Sequence, residues 1–346
     1  MSQHPILSCS FDALAQTLAG SGRAKAIWSL LRNGQDPFQA PLGKKLTRAL
    51  NQNLTAFDER VTTRHQSPCG TLKLGIALQD KLEVETVLIP MNGRTTVCIS
   101  SQVGCARGCT FCSTGQMNLI RNLKAHEILF QVYAARRCIQ ESQDLPPFRN
   151  IVFMGMGEPL NNFEEVKKAI TQMVHPLTFA IGAKRITLST VGPSPSLIQK
   201  LKTLPTRIAW SIHAAEDTKR QRLVPTTKHS IAALTDAFAD VLHRKKEGLF
   251  IELTLIDNVN DRDEDAHHLV TCLKRLPGES RVNLIPVNPT PGNSFAPPTP
   301  ERIQSFRAIL HEAGYFCSVR PSRGDEEAAA CGQLITLRTQ EGVLAQ

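Results

Sequence analysis

From about residue 95 onward, short runs of apolar residues alternate regularly with longer amphipathic segments. Short apolar runs are typical of buried strands in a parallel sheet, whereas the longer segments have the period of helices. Strands are predicted at 95–100, 150–154, 185–190, 207–212, 250–256 and 281–287, and helices near 123–141, 162–174, 194–203, 231–246 and 262–275. A last helix at 300–313 precedes a short strand near 316–320. Six β/α repeats predict an α/β fold, an open, partial (β/α)6 barrel whose chemistry lies at the C-terminal ends of the strands.

The first part of the chain has a different pattern. Residues 1 to about 75 are predicted to form a small helical unit, because apolar residues fall at helical spacing at Leu14, Leu18, Ala24, Ile27, Trp28 and Leu31. Near 71–90 the pattern alternates, with Val84, Thr86 and Leu88 on one face of a predicted strand. We therefore expect an N-terminal helical accessory domain with a short β segment at 1–90, the barrel at 91–320 and a tail at 321–346.

Composition limits the class of protein. A chain of 346 residues that is 41% hydrophobic can bury a sizeable core, which excludes a disordered chain or a disulfide-stapled miniprotein. It contains no apolar run of the roughly 18 residues that a membrane span needs. The N-terminus has no basic region before its short apolar run, so we expect no secretory signal, no membrane and a cytoplasmic location. Ten cysteines in such a chain favour metal binding or redox chemistry.

Charge is unevenly distributed along the chain. The net charge is +9, with 31 basic and 18 acidic residues in the first 250 positions and 9 basic and 13 acidic in the last 96. A basic surface of this size suits a polyanion such as nucleic acid, although ordinary solubilising charge is the alternative. Aromatic residues make up only 5%, which argues against a single-strand module built on stacking.

Three cysteines follow the first predicted barrel strand within eight residues: Cys105, Cys109 and Cys112. A 4Fe–4S cluster normally takes four cysteines, so three would leave one iron open for a substrate or cofactor. A structural zinc site would want a fourth Cys or His at close spacing, and none lies nearby. The C-x3-C-x2-C spacing with an aromatic residue before the last cysteine resembles the signature of radical S-adenosylmethionine (SAM) enzymes.

A glycine-rich turn follows the second predicted strand, in the sequence MGMGEP. Gly155 and Gly157 allow close backbone approach, and Glu158 offers a carboxylate to an ammonium group. Such a turn alone is most often only a tight turn. In radical SAM enzymes, a similar turn holds the amino group of the methionine part of SAM.

Several further segments together resemble the RlmN/Cfr family of radical SAM enzymes, which methylate an adenine carbon in RNA. The resemblance covers about residues 20–338 and rests on VETVLIP, CISSQVGCARGCTFCSTG, FMGMGEPL, RITLSTVG, WSIHAA, NLIPVNP and RGDEEAAACGQL. It implies one 4Fe–4S cluster held by the three cysteines and SAM, an RNA substrate, a flavodoxin-type electron donor and a monomer. It also implies SAM contacts at Gly157, Glu158, Ser189, Ser211, Ile212, His213 and Asn288.

The same resemblance implies a covalent route. Cys331 takes a methyl group from one SAM, and a radical made from a second SAM then activates that methyl group for addition to adenine. Cys98 resolves the protein–RNA adduct through a disulfide with Cys331, and Glu85 acts as the base for the proton on the methylated carbon. Taken alone, Cys98 and His213 would more often be structural residues, and Glu85 an exposed strand residue.

The substrate remains open at this level. Members of the family methylate adenine C2 in large-subunit ribosomal RNA, some also in transfer RNA, whereas a resistance branch methylates C8. The intact Gly157-Glu158-Pro159 resembles the C2 branch. The chain departs from commoner members between Gly115 and Leu119 and in its short N-terminal region. A radical SAM enzyme acting on a non-RNA substrate, and a non-catalytic iron–sulfur or zinc RNA-binding protein, are the alternatives from other classes.

Overall fold

The computed structural model describes residues 4–288, 290, 293–320 and 333–334. Its strands are β1 (His4–Pro5), β2 (Leu54–Thr55), β3 (Arg60–Gln66), β4 (Leu72–Ala77), β5 (Glu83–Met91), β6 (Arg94–Cys98), β7 (Gln102–Gly104), β8 (Leu119–Asn122), β9 (Phe148–Phe153), β10 (Ile186–Thr190), β11 (Arg207–Ser211), β12 (Phe250–Leu255), β13 (Arg281–Pro286) and β14 (Phe316–Val319).

The helices in the described residues are α1 (Phe11–Thr17), α2 (Ser21–Arg32), α3 (Lys44–Asn53), α4 (Ser113–Gln116), α5 (Ala125–Glu141), α6 (Phe163–Val174), α7 (Pro195–Gln199), α8 (Asp217–Leu223), α9 (Ile231–Lys245), α10 (Asp263–Leu273) and α11 (Pro300–Glu312). Several start at a residue whose side chain caps the first turn, as Ser230 does for α9 and Thr299 for α11. None of these helices has the length and apolarity of a membrane span.

A ten-stranded sheet organises the molecule, in the order β14-β13-β12-β11-β10-β9-β6-β5-β4-β3. The strands from β6 through β9 to β14 pair in parallel, each joined to the next by a helical connection. The predicted α/β fold with a parallel, partial (β/α)6 barrel is therefore confirmed, with the predicted short strand near 316–320 present as β14.

The first strands extend this sheet in an antiparallel direction, since β3, β4, β5 and β6 pair successively. The predicted alternation at 84–88 is confirmed: Val84 and Leu88 are fully buried, and the Thr86 Oγ1 donates to Gln131 Oε1 of α5 at 2.9 Å. This face of β5 therefore packs against a helix, and the opposite face of β5 carries Glu85.

The predicted helical unit extends too far along the chain. Helices occupy Phe11–Asn53 as α1, α2 and α3, but 60–66 and 72–77 are strands. The strand β3 lies at the sheet edge and is mostly exposed, so it has no apolar period to distinguish it from a polar helix face. The division at residue 90 stays a prediction, and the sheet runs across it.

Candidate active site

A cavity lies at the C-terminal ends of the parallel strands. It brings together most of the residues that the sequence predicted to act. The predicted residues that line it are Cys105, Cys109, Cys112, Gly157, Glu158, Ser189, Ser211, His213 and Asn288. Residues distant in sequence thus converge on one site because each follows or ends a neighbouring strand.

The cysteine loop is fixed at both ends by backbone contacts. It follows β7, which forms a hairpin with β8, and the Cys105 N–H donates to the Asn118 carbonyl at 3.1 Å. At the other end the Cys112 N–H donates to the Cys109 carbonyl at 3.1 Å. A Cβ at Gly115 would lie 2.8 Å from the Cys109 nitrogen, so this position needs glycine. These contacts orient the three thiols toward the cavity.

Burial governs the protonation of these thiols. Removal from water raises the pKa of Cys105 to about 12 and raises the pKa values of Cys109 and Cys112, so the thiols are neutral without a cation. Among the described residues, no group of three His, Cys, Asp or Glu is arranged to hold a metal ion by itself. A cubane cluster binds each thiolate to a different iron, so the three thiols fit a cluster better than a single zinc ion.

The turn after β9 is built by close backbone approach. A Cβ at Gly155 would lie 2.7 Å from the Ile99 carbonyl, and Gly157 has a φ of +97° with Gln102 beside it. The Glu158 N–H donates to Gln102 Oε1 at 2.7 Å. Glycine is therefore required at both positions, and the turn directs the Glu158 side chain across the strand ends.

The Glu158 carboxylate is buried and is held by the next strand. Its Oε1 accepts from Thr190 Oγ1 at 2.7 Å and from the Leu160 N–H at 2.9 Å, and its Oε2 accepts from the Val191 N–H at 3.0 Å. Burial raises its pKa, and these donors lower it. A carboxylate can accept about four hydrogen bonds, so one acceptor position on Oε2 remains for a ligand.

Two serines and a histidine line the next strand ends. The hydroxyls of Ser189 and Ser211 lie 2.9 Å apart. His213 has a left-handed φ of +58°, and its Nδ1 accepts from the Thr254 N–H at 3.3 Å. Burial lowers the pKa of His213 to about 3, so the ring is neutral and carries its hydrogen on Nε2.

Ile212 differs from its two neighbours. Its side chain is fully buried and does not line the cavity. Its N–H donates to the Glu252 carbonyl, and its own carbonyl accepts from the Ala214 N–H and from Arg220 Nε. Its expected SAM contact stays a prediction.

Glu85 and Cys98 lie on adjacent strands, outside the lining of the cavity. In the sheet, Val87 of β5 pairs with Cys98 of β6, and Cys98 pairs with Val152 of β9. Val152 in turn pairs with Thr187 of β10, two residues before Ser189. Residues opposite each other or two apart share a face of a sheet, so Glu85 and Cys98 share the face that carries Ser189. Lys73 Nζ lies 3.0 Å from Glu85 Oε1.

Cys331 falls outside the described residues. Leu334, three residues later, lines the cavity, and its carbonyl accepts from Thr114 Oγ1 at 2.6 Å. Leu334 therefore lies at the cavity, beside the helix α4 that follows the cysteine loop.

Some lining residues were missed. Arg107 lies in the cysteine loop, and Glu252 and Thr254 point inward from β12. The sequence held one signal: Glu252 is a charged residue within an apolar strand. Arg220 could not be assigned from sequence, because it does not line the cavity. It is fully buried and donates hydrogen bonds to the Ile212 and Val191 carbonyls, which stabilise the backbone next to the lining residues.

The fold and the three-cysteine loop define the class of a radical SAM enzyme, whose chemistry uses SAM and a 4Fe–4S cluster. The family model of the Radical SAM superfamily matches residues 99–270. A solved radical SAM methyltransferase from Sphaerobacter thermophilus superposes with a TM-score of 0.87 at 36% identity, covering 96% of this chain and 99% of that one.

Curated relatives narrow the class. The dual-specificity RNA methyltransferase RlmN of Marinobacter nauticus is 40% identical over 327 residues, which are 91% of this chain and 88% of the relative. That of Dinoroseobacter shibae is 37% identical over 342 residues, 93% of this chain and 86% of the relative. The chain belongs to the RlmN family of radical SAM RNA methyltransferases, and the resemblance found in its motifs is confirmed.

Proposed function

We propose that this protein methylates a ring carbon of adenine in RNA, namely C2 of an adenine in large-subunit ribosomal RNA, with transfer RNA as a second substrate. The observation that carries the proposal is one cavity that gathers the cysteine loop, Glu158, the two serines and Leu334 of the tail. The relatives' designation as dual-specificity RNA methyltransferases supports two RNA substrates and does not favour a non-RNA substrate.

Cys105, Cys109 and Cys112 are proposed to hold the 4Fe–4S cluster, with SAM at the iron that they leave open. When bound, cluster and SAM supply a deoxyadenosyl radical, which can activate a methyl group for attack on a carbon that is not nucleophilic. The high thiol pKa values mean that binding of the cluster displaces protons from the three cysteines.

The other lining residues that the sequence predicted, namely Gly157, Glu158, Ser189, Ser211, His213 and Asn288, are proposed to bind SAM. Glu158 Oε2 has an acceptor position for the ammonium group, and Gly157 lets that group approach the backbone. The paired hydroxyls of Ser189 and Ser211 suit ribose hydroxyls, and Asn288 suits the edge of adenine. His213 can donate only through Nε2, because Nδ1 is occupied by Thr254.

Three residues are proposed to handle the methyl group and the adduct. The Cys331 thiolate attacks the methyl carbon of SAM, so a C–S bond forms on the cysteine as the sulfonium C–S bond breaks. In the adduct formed with adenine, whose odd electron would return to the cluster, Glu85 takes the proton from the methylated carbon. Cys98 then attacks the Cys331 sulfur: the disulfide forms as the bond between that sulfur and the methylene carbon breaks, and the methylene carbon takes a proton to become the methyl group of the released RNA. The shared face of Glu85 and Cys98 and the approach of Leu334 to the cavity support this assignment.

The disulfide must be reduced after each turnover, which favours a cytoplasmic location with its thiol reductants. A flavodoxin-type protein is the proposed electron donor, and the proposed state is a monomer.

Replacing Cys98 tests the release step. In Cys98→Ala the adduct should persist, so protein purified from cells should carry covalently bound RNA, seen as a nuclease-sensitive shift on a denaturing gel. Cys138→Ala is the matched control, because Cys138 is also buried but lies on α5. An RNA-free and fully active Cys98→Ala protein would remove Cys98 from the mechanism.

Nucleoside mass spectrometry tests the function itself. Ribosomal and transfer RNA are analysed separately from cells lacking the gene and from cells complemented with wild type, Cys331→Ala or the exposed-cysteine control Cys69→Ala. We expect 2-methyladenosine to return with wild type and Cys69→Ala, and to stay absent with Cys331→Ala. Return of 8-methyladenosine instead would assign the resistance branch, and no change in either nucleoside would refute the proposed reaction.

A further inference from the structure

Glu252 is a buried carboxylate in the cavity to which the proposed mechanism assigns no task. Its side chain points inward from the middle of β12 and is 3% exposed. Its Oε1 accepts from Asn283 Nδ2 at 2.9 Å and from an Arg320 guanidinium nitrogen at 3.2 Å. Its Oε2 is buried and has no hydrogen-bond partner among the residues that the structure describes.

An orphan carboxylate oxygen is costly inside a protein. Buried polar atoms are nearly always hydrogen-bonded, and an unpaired one loses its hydration without compensation. Burial raises the pKa of Glu252, and the Arg320 charge and the Asn283 hydrogen bond offset part of that rise. This Oε2 atom is therefore available to accept a hydrogen bond from a donor group of a bound molecule.

The register shows where that molecule lies. Ser211 is opposite Glu252, which is opposite Asn283, and these side chains share the inner face. The Ser211–Ser189 hydroxyl pair and Thr254, two residues after Glu252, also line the cavity. Glu252 thus stands beside the hydroxyls proposed to meet a nucleoside.

Adenosine supplies suitable donors, namely the 6-amino group and the ribose hydroxyls. An enzyme that uses SAM on an adenine binds two adenosines, one in SAM and one in the target RNA. We propose that Glu252 Oε2 accepts a hydrogen bond from an adenosine in this cavity and thereby selects for it, while Asn283 and Arg320 position the carboxylate. If the adenosine is that of the target RNA, the proposal rests on the proposed function. If it is the adenosine of SAM, the proposal rests only on membership of the radical SAM class.

The network makes Glu252→Gln a sharp test. Asn283 and Arg320 both donate to the Oε1 position, so the glutamine must place its carbonyl oxygen there. Its amide NH2 then takes the Oε2 position and presents a donor where the ligand needs an acceptor. Ser318→Ala is the matched control, because Ser318 donates to Asn283 Oδ1 at 2.6 Å and lies outside the lining of the cavity.

Two measurements on the anaerobically reconstituted full-length protein separate the two sources. Equilibrium dialysis gives the Kd for SAM, and methyl transfer at saturating SAM gives the KM for unmodified ribosomal and transfer RNA from cells lacking the gene. A tenfold or larger rise in the SAM Kd for Glu252→Gln, absent in Ser318→Ala, assigns the contact to SAM. An unchanged SAM Kd with a tenfold rise in the RNA KM assigns it to the target adenosine.

Values within twofold of wild type for both quantities overturn the proposal and leave Glu252 as a partner of Arg320 and Asn283 only. Glu252→Asp keeps the charge but withdraws the orphan oxygen by one methylene, and it gives the same two readouts if Glu252→Gln does not fold. If wild type transfers no methyl group to RNA, the proposed function fails, and the SAM Kd alone then decides the proposal.

Discussion

At the scale of single residues, His213 shows how burial sets chemistry in this cavity. The ring is buried at the cavity wall, packs edge to face on Phe111 with 4.7 Å between the ring centroids, and accepts a hydrogen bond from the Thr254 backbone N–H. Burial, with the nearby Arg220 charge, holds its pKa at about 3. The folded protein therefore keeps His213 neutral at pH values where an unfolded chain would protonate it.

This difference makes His213 a source of acid sensitivity. Between pH 6.5 and about 3 the unfolded state binds one more proton than the folded state, so stability falls as the pH falls. From pH 7 to pH 5 the contribution is about 2 kcal/mol. In His213→Asn, whose side chain tolerates a left-handed φ and can accept from Thr254, urea unfolding should lose about 2 kcal/mol less over that interval.

The exposed His267→Asn is the matched control and should follow wild type. An equal loss of stability in wild type and His213→Asn would show that His213 is protonated in the folded state.

Sequence motifs identified most of the lining residues that were predicted, but they did not show which side chains face the cavity and which face the core. Glu158, Ser189, Ser211 and Asn288 could be predicted because they lie at or after the C-terminal ends of strands, and these ends meet in a barrel. Whether a side chain at a strand end faces the cavity or the core depends on the strand's face, which motif spacing does not specify. Ile212 shows this: it belongs to a predicted SAM-contacting segment, but its side chain faces the core and is fully buried.

At the scale of secondary structure, apolar runs predicted the boundaries of the parallel strands to within two residues. The hairpin β7–β8, which holds the cysteine loop, was not predicted, because each strand has only three or four residues and no alternation. Short strands of this kind are stabilised by tertiary contacts rather than by their own pattern.

The turn after β9 depends on the absence of a side chain at Gly157. Alanine there would adopt a φ of +97° with its Cβ 2.5 Å from Gln102 Cβ and 2.8 Å from the Gln102 nitrogen. Gly93→Ala is a matched control, because Gly93 has a φ of +69° but open space around its Cβ position. We expect Gly93→Ala to cost about 1–2 kcal/mol in urea unfolding and Gly157→Ala about 1–3 kcal/mol more, since it adds a clash with backbone. Equal losses would mean that the turn moves away from Gln102.

At the scale of the whole molecule, the sheet continues from the barrel into the N-terminal region through β5, β4 and β3. β5 and β6 form a hairpin through the two-residue turn Asn92-Gly93, in which both residues have a positive φ, so the Asn-Gly pair in the sequence was a local signal for this pairing. This pairing carries Glu85 to the strand next to Cys98. The expected accessory domain thus contributes strands, and a proposed site residue, to the same sheet as the barrel.

The charge distribution of the whole chain predicts how RNA binding responds to salt. Basic residues exceed acidic ones by 13 over the first 250 positions, and the last 96 carry an acidic excess of 4. If the basic excess contacts phosphates, each neutralised phosphate releases counterions. Three such contacts would weaken RNA binding roughly 20- to 40-fold between 50 and 200 mM salt.

Filter binding of unmodified ribosomal RNA measures the salt dependence of the RNA Kd, and the SAM affinity over the same salt range is the internal control. Neutralising exposed Lys45 and Arg48 of α3 should flatten the salt dependence, whereas neutralising exposed Lys274 in the acidic region should leave it unchanged. An RNA Kd that stays constant across this range would assign the basic excess to ordinary solubilising charge.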